Sequence, residues 1–464
     1  MFSLFRGRGR IIHRHAGAKS SHINMCAGPI LPKMLIFAVP LMFSGILQLL
    51  FNAADIVIVG HFAGDHSLAA VGSNMPVIGM LTNLFIGISI GTNVLVSNCF
   101  GAKDKTGIEK AVSTSIVLSV LSGILLTAVG VVFSRKILFF MNTPAEVLPL
   151  ATLYLVIYFF CMTPLMLYNF GSAVLRAVGD TKRPLLYLVI AGVINVILNI
   201  FFVAYLKLGV AGVAIATVIS QSISAVLVVR CLMHETGAIR FVPKQARIDF
   251  GSLIKMLRVG VPAGLQGVLF SISNVVIQSS INTFGAVVMA GSCSSDNIEL
   301  FIYFAMTAFY QAIISFTSQN MGAGQTERVK RVLKVGLICI AAVGGTMGVL
   351  TVIFGKSLLG LYSSSDAVIA AGMTRMKIVV PMYAVCGLME GMAGSIRGMG
   401  YSVLPMIVTL IGVCGLRVVW VSTLLDIPMF HSAATIYMSY PVSWLVTFAA
   451  HCVCYHFVKK KAGI

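Results

Sequence analysis

Apolar stretches long enough to cross a bilayer recur twelve times along this chain, and no other feature limits its fold so severely. A spanning helix needs about 20 mostly apolar residues. Such runs fall near 35–60, 73–98, 111–133, 148–172, 185–206, 209–230, 257–282, 297–319, 333–355, 369–396, 403–425 and 433–457. The start of the eighth is poorly marked, because 284–296 is weakly apolar. With 58% hydrophobic and only 10% charged residues among 464, the chain lacks the side chains to cover a water-facing surface. It reads as an all-α integral membrane protein. Ten cysteines are scattered without a CxxC pair and act as small apolar helix residues rather than a disulfide frame.

The net charge of +19 would suit nucleic acid only if it were clustered. Instead, one set of loops (the N-terminal tail, 99–110, 175–184, 230–258, 320–334, 397–402 and the C-terminal tail) holds 26 Lys and Arg. The alternate set holds six: Arg135, Lys136, Lys207, Lys356, Arg375 and Lys377. That bias places both termini in the cytoplasm and explains the charge as topological. The first 24 residues show no signal peptide, since Arg6, Arg8, Arg10 and Arg14 break any apolar core.

The two halves repeat. Ala38-Val39-Pro40 matches Gly260-Val261-Pro262, 222 residues later, and Phe100-Gly101-Ala102 matches Met321-Gly322-Ala323 at 221. Leu175-Arg176-Ala177-Val178-Gly179 recurs as Ile396-Arg397-Gly398-Met399-Gly400, and Pro184 as Pro405, at the same 221. Six spans per half give two six-helix lobes in the same orientation, an arrangement typical of secondary transporters. The expected layout is a disordered basic tail over 1–32, an N-lobe over 33–232, a cytoplasmic linker over 233–254, a C-lobe over 255–458 and a basic tail over 459–464.

Ionisable groups in the bilayer cost about 2.5–3.5 kcal/mol each, so each needs a reason. Asp55 lies six residues from the outer end of span one, about 9 Å deep at 1.5 Å per residue. Asn195 and Asn199 share one face of span five, about 15 and 9 Å deep, and Thr217 is about 12 Å into span six. A carboxylate, two amides and a hydroxyl thus converge as ligands for a small cation, or as a proton site. The plainer reading of the Asn and Thr side chains is interhelical glue. The C-lobe lacks this set: the mates of Asn195 and Asn199 are Leu416 and Trp420. It offers Gln266, Asn274 and Gln278 along span seven, Glu299 in span eight, Glu390 before Arg397, and Arg417 in span eleven. These are candidate cavity residues. For Arg417 an ion pair with Glu390 or Glu299 is the favoured reading, because buried charges usually pair. Catalytic constellations are missing, Leu350 breaks any P-loop at Gly355-Lys356-Ser357, and no nucleotide is expected.

Several segments carry a family resemblance. They are Asp55-Ile56-Val57-Ile58-Val59-Gly60, Leu68-Ala69-Ala70-Val71-Gly72, Leu175 through Lys182, Gly209 through Thr217, Gln319-Asn320-Met321-Gly322-Ala323-Gly324 and Ile396 through Gly400. In this order, over about 33–457, the chain resembles the multidrug and toxic compound extrusion (MATE) transporters, bacterial branch. The resemblance implies a V-shaped protein of the bacterial plasma membrane that exports organic cations and other amphiphiles in exchange for H⁺ or Na⁺. No cofactor beyond that ion gradient, no metal beyond Na⁺, and a monomer are expected. Asp55 matches the family's coupling acid, and Asn195 and Thr217 match its polar N-lobe positions. Asn199 departs from members that carry Asp there, and Gln266 occupies the region where a C-lobe cation site would need an acid. Coupling is therefore expected in the N-lobe.

The rivals are a lipid-linked oligosaccharide flippase of the same superfamily, an intramembrane enzyme and a channel. A flippase would be expected to show a more cationic cavity than Arg417 alone provides. The enzyme is disfavoured by the absent catalytic groups, and two rocking lobes suit antiport better than a channel.

Overall fold

Only helices and closed barrels satisfy their own backbone inside hydrocarbon, and every apolar run is helical in the computed structural model, which describes residues 22–141 and 143–463. The N-lobe holds α1 (Ile30–Phe62), α2 (Asp65–Gly101), α3 (Lys105–Phe140), α4 (Leu148–Phe159 with Met162–Ala177), α5 (Lys182–Tyr205) and α6 (Gly209–His234). The C-lobe holds α7 (Phe250–Asn282), α8 (Ala286–Gly322), α9 (Thr326–Ile353), α10 (Asp366–Gly398), α11 (Val403–Leu424) and α12 (Ala433–Lys461). Eleven are long and apolar enough to span singly, and α4 is a broken span bent by 46°. Pro164 explains the break, because it has no N–H for the carbonyl of Phe160 four residues back. Large side chains such as Val57, Phe140 and Ile353 stay exposed on the outer surface, as lipid contact requires.

Two sequence boundaries move. Span eight starts at Ala286 rather than 297, because its polar residues Ser292, Ser295 and Glu299 turn inward and are buried. The linker shortens to 235–249, since Asp249 caps α7 by accepting the Ser252 backbone N–H at 2.8 Å. That bond, with a second from the Ser252 hydroxyl, holds the Asp249 carboxyl below its usual range. Its contribution to the cap is therefore present at neutral pH and fades as pH falls through the lowered value.

The repeat extends to the backbone. Left-handed φ values occur in pairs at Gly64 and Gly285, Lys103 and Gly324, and Gly179 and Gly400. Each pair is separated by 221 residues and marks the same turn in both lobes. Hydrogen bonds pair in the same way. Ser97 donates to the Ala177 carbonyl (3.3 Å), and Ser318 donates to that of Gly398 (2.9 Å).

The lobes meet chiefly where α2 lies against α7 and α8, and where α1 lies against α8. The α2–α7 crossing is built from glycine. A Cβ on Gly87 would stand 2.2 Å from the Gly264 nitrogen, and one on Gly91 only 2.1 Å from the Met256 oxygen. Gly260 and Gly264 face Ile88 and Leu84 just as tightly. Gly87-x-x-x-Gly91 and Gly260-x-x-x-Gly264 are thus small-residue faces that let two backbones touch. Further along, a Cβ on Gly101 would meet the Gln319 carbonyl, and one on Gly322 the Asn98 carbonyl, each at 1.9 Å. The seam is therefore shut at the face carrying residues 22–28 and the end of α12.

Residues 22–32, expected to be part of a disordered tail, are instead packed. Met25 is fully buried, and its carbonyl accepts from Asn320 (3.3 Å) and Arg328 (3.1 Å) of the C-lobe. Ile23 lies against Gly179 of the N-lobe. This short strap bridges both lobes at their closed face, because its unpaired carbonyls find donors there. Residues 1–21 lie outside the described residues.

Gly91→Ala should lower the melting temperature of the detergent-solubilised protein, since overpacking a tight contact costs about 1–3 kcal/mol. Gly345→Ala, which meets no atom within 4 Å, should not lower it.

Candidate functional site

In the N-lobe, α1 and α5 bring three polar side chains together. Asn199 donates through Nδ2 to Oδ1 of Asp55 at 2.5 Å and to Oδ1 of Asn195 at 3.1 Å. Asn195 and Asn199 are buried, Asp55 half-buried. One neutral amide NH₂ thus bridges two acceptor oxygens at a point where a small cation could do the same. The Asn199 Oδ1 is buried without a partner, so rotating this amide would present three oxygens to one point. A π-helical turn, Ile200–Tyr205, starts immediately after Asn199, a local widening common at functional positions. Thr217 makes no hydrogen bond to this group; its hydroxyl donates to the Val213 carbonyl of its own helix at 3.0 Å. Tyr154, buried in α4, lies near Asp55. The sequence reading missed it because an aromatic in an apolar run looks like core. Among the described residues no cluster of three His, Cys, Asp or Glu is present.

The C-lobe encloses the larger feature, a cavity of about 490 Å³ between α7, α8, α10, α11 and α12, lined on its N-lobe side by α2. Gln266, Asn274, Gln278, Glu390 and Arg417 all line it. Glu299 does not; it stands behind the wall and is fully engaged. Its oxygens accept from Arg375 Nε and Nη2, both at 2.9 Å, from Ser295 (2.8 Å) and from Tyr383 (3.1 Å). Arg375 also reaches Asp296 at 2.6 Å and Ser292 at 3.0 Å.

This geometry corrects the expected pairing of Arg417 with Glu299 or Glu390. Glu299 is taken by Arg375, a residue whose sequence position suggests a loop charge, and no carboxylate lies within 4.0 Å of Arg417 among the described residues. Arg417 is instead held by aromatic rings, Tyr440 at 4.1 Å and Trp444 at 5.6 Å, which attract a desolvated cation through their quadrupoles. Arg397, likewise a loop charge by sequence position, is buried in the cavity wall. It donates to Tyr310 at 2.5 Å and, through Nη2, to Gln266. Its place inside a repeated motif was the signal that it was more than a topological charge. Glu390 makes no ion pair among the described residues and offers a carboxylate to the cavity.

A family model described as MatE matches residues 40–201 and again 262–422, one copy per lobe. The "Probable multidrug resistance protein YoeA" of Bacillus subtilis is 27% identical over 438 residues, covering 93% of this chain and 94% of that protein. The "Probable multidrug resistance protein NorM" of Thermotoga maritima is 26% identical over 393 residues, covering 83% and 84%. Among solved structures, an outward-facing multidrug resistance MATE family transporter of the MOP superfamily superposes with a TM-score of 0.89 at 20% identity. That match covers 94% of this chain and 98% of the other.

Removing the guanidinium in Arg375→Met leaves Glu299 buried and unpaired. The expected loss is about 3–5 kcal/mol, read as a large drop in melting temperature; an unchanged melting point would show that the pair contributes nothing to stability.

Proposed function

Since the chain belongs to the MatE family of multidrug transporters, we propose that it is a secondary exporter of organic cations and amphiphiles, driven by H⁺ or Na⁺ taken up at Asp55. The observation that carries this reading is the half-buried Asp55 carboxylate accepting from Asn199, whose amide is also bonded to Asn195, with no acid at the equivalent place in the C-lobe. A proton on Asp55 removes the need for the Asn199 donor. Na⁺ would replace that donor with itself, once the amide turned its oxygen inward. Either event breaks the α1–α5 bond and frees α1 to repack. Pro40 and Pro262, which lack the N–H of a normal helical residue, are the places where α1 and α7 can bend.

Both termini are assigned to the cytoplasm of a bacterium, from the excess of basic residues on that face. Removing Arg375 and Arg397 from the loop count leaves the bias intact. With that orientation the glycine seam closes the cytoplasmic side, and the C-lobe cavity faces outward. Substrate would bind there through Glu390 and the aromatic walls, with the protein working as a monomer.

A lipid-linked oligosaccharide flippase gains one observation, because Arg375, Arg397 and Arg417 all line the cavity. Arg375 is neutralised by Glu299 and Asp296, however, and Arg397 has Glu390 nearby. The chamber is therefore not a strongly cationic one.

Ethidium efflux from proteoliposomes, with proton and Na⁺ gradients imposed separately, tests the proposal. Wild-type protein should respond to at least one gradient, and Asp55→Asn should lose at least tenfold of that rate at equal protein content. Full activity in Asp55→Asn would refute coupling at this residue. No response to either gradient would favour the flippase.

A further inference from the structure

Arg417 stands out among the buried charges because its hydrogen-bonding capacity is almost entirely unused. A guanidinium carries five N–H donors. Here Nε donates to the Ser443 hydroxyl at 2.9 Å, and no other bond is made among the described residues. Nη2 is buried without a partner, although the residue is only 1% exposed. The other two cavity arginines are different: Arg375 has two carboxylates, and Arg397 has Tyr310 and Gln266.

The surroundings of Arg417 explain both its survival and its selectivity. Tyr440, Trp444 and Phe270 lie 4.1, 5.6 and 5.8 Å from the guanidinium carbon. Rings attract a cation over their faces, yet they offer no acceptor to an N–H. The π-helical turn Leu410–Gly415 ends two residues before Arg417. What is missing is an acceptor in the plane of the guanidinium, and the residue lines the cavity where one could arrive. Paired oxygens of a carboxylate or phosphate match the two Nη groups in a parallel fork.

We infer that Arg417 is an oxyanion subsite of the C-lobe cavity, binding the carboxylate or phosphate ester of an amphipathic substrate whose apolar part lies among Phe270, Tyr440 and Trp444. This rests on the reading of the cavity as the substrate chamber, and it widens the substrate class beyond cations. Glu390 in the same chamber leaves room for a positive group as well, so substrates carrying both charges fit it. The same chemistry is borne by soluble amphiphiles and by phospholipid headgroups.

The chain has two tryptophans, Trp420 and Trp444, so Trp420→Phe leaves one reporter beside the site. Quenching of Trp444 by 4-iodobenzoate is compared with quenching by the uncharged 4-iodobenzamide, using the full-length protein in nanodiscs. The benzoate should bind at least tenfold more tightly than the amide. Arg417→Gln should reduce that preference to within twofold, and Arg417→Lys, which keeps the charge without the fork, should fall between. If Arg417→Gln is not monodisperse, Arg417→Lys alone decides. A preference under twofold in the parent, or a tenfold preference surviving in Arg417→Gln or undiminished in Arg417→Lys, overturns the assignment. Benzoate affinity that is weaker in phosphatidylglycerol than in phosphatidylcholine discs supports a headgroup as the natural occupant, and equal affinity supports a soluble one. Because binding is read without transport, ethidium efflux in the same preparation separates the two readings. Efflux with no benzoate preference sinks only the subsite, and preference without efflux sinks only the exporter.

Discussion

Backbone touching backbone at the α2–α7 crossing is the contact on which the rest of the architecture depends. Lipid supplies no hydrophobic drive between helices, so close packing must hold the lobes together. Gly87, Gly91, Gly260 and Gly264 provide it along one stretch of the crossing. Toward the other end the contact loosens: a Cβ on Gly267 of α7 would stand at an ordinary 3.5 Å from Asn83 of α2, which donates to the Ser271 hydroxyl at 3.4 Å. The space between them grows into the C-lobe cavity. A seam tight at one end and open at the other is the shape an alternating-access protein needs, and it follows from where glycine sits in the sequence.

The two lobes share a backbone plan but divide the polar work. In the N-lobe one acid accepts from Asn199, whose amide also donates to Asn195. In the C-lobe three arginines and three acids are arranged around a chamber, and half of them, Arg375, Glu299 and Asp296, are spent on one another. Arg375 and Glu299 form a closed unit with Tyr383, Ser295 and Asp296. Such a unit fixes the wall position of α10 against α8. Burial of charge is thus used for rigidity at one place, while Arg417 and Glu390 keep their capacity for a guest.

Much of this is legible in the sequence. The twelve spans, the six-plus-six repeat and the meeting of Asp55 with Asn195 and Asn199 came from apolar run length, a constant offset and helical spacing, which are local properties. What was not legible depended on direction. Arg375 and Arg397 lie near the ends of apolar runs, where a charge pointing to water and one pointing inward have the same sequence neighbours. Arg417 was read as needing an acid, since buried charges usually pair, but three aromatic rings from two other helices met part of that need. Thr217 has the right depth and still bonds its own helix, because a threonine hydroxyl always has a carbonyl one turn back within reach.

The strap over residues 23–28 is recognised almost wholly through its main chain: the carbonyls of Met25, Ala27 and Gly28 all accept from Arg328. Recognition of that kind is indifferent to side-chain identity. Over evolutionary time the strap is free to change its letters while keeping its hold, except at Gly28, where φ is +69°, and at Met25, whose side chain is buried. A relative could therefore preserve this tie between the lobes with almost no similarity to show for it in an alignment.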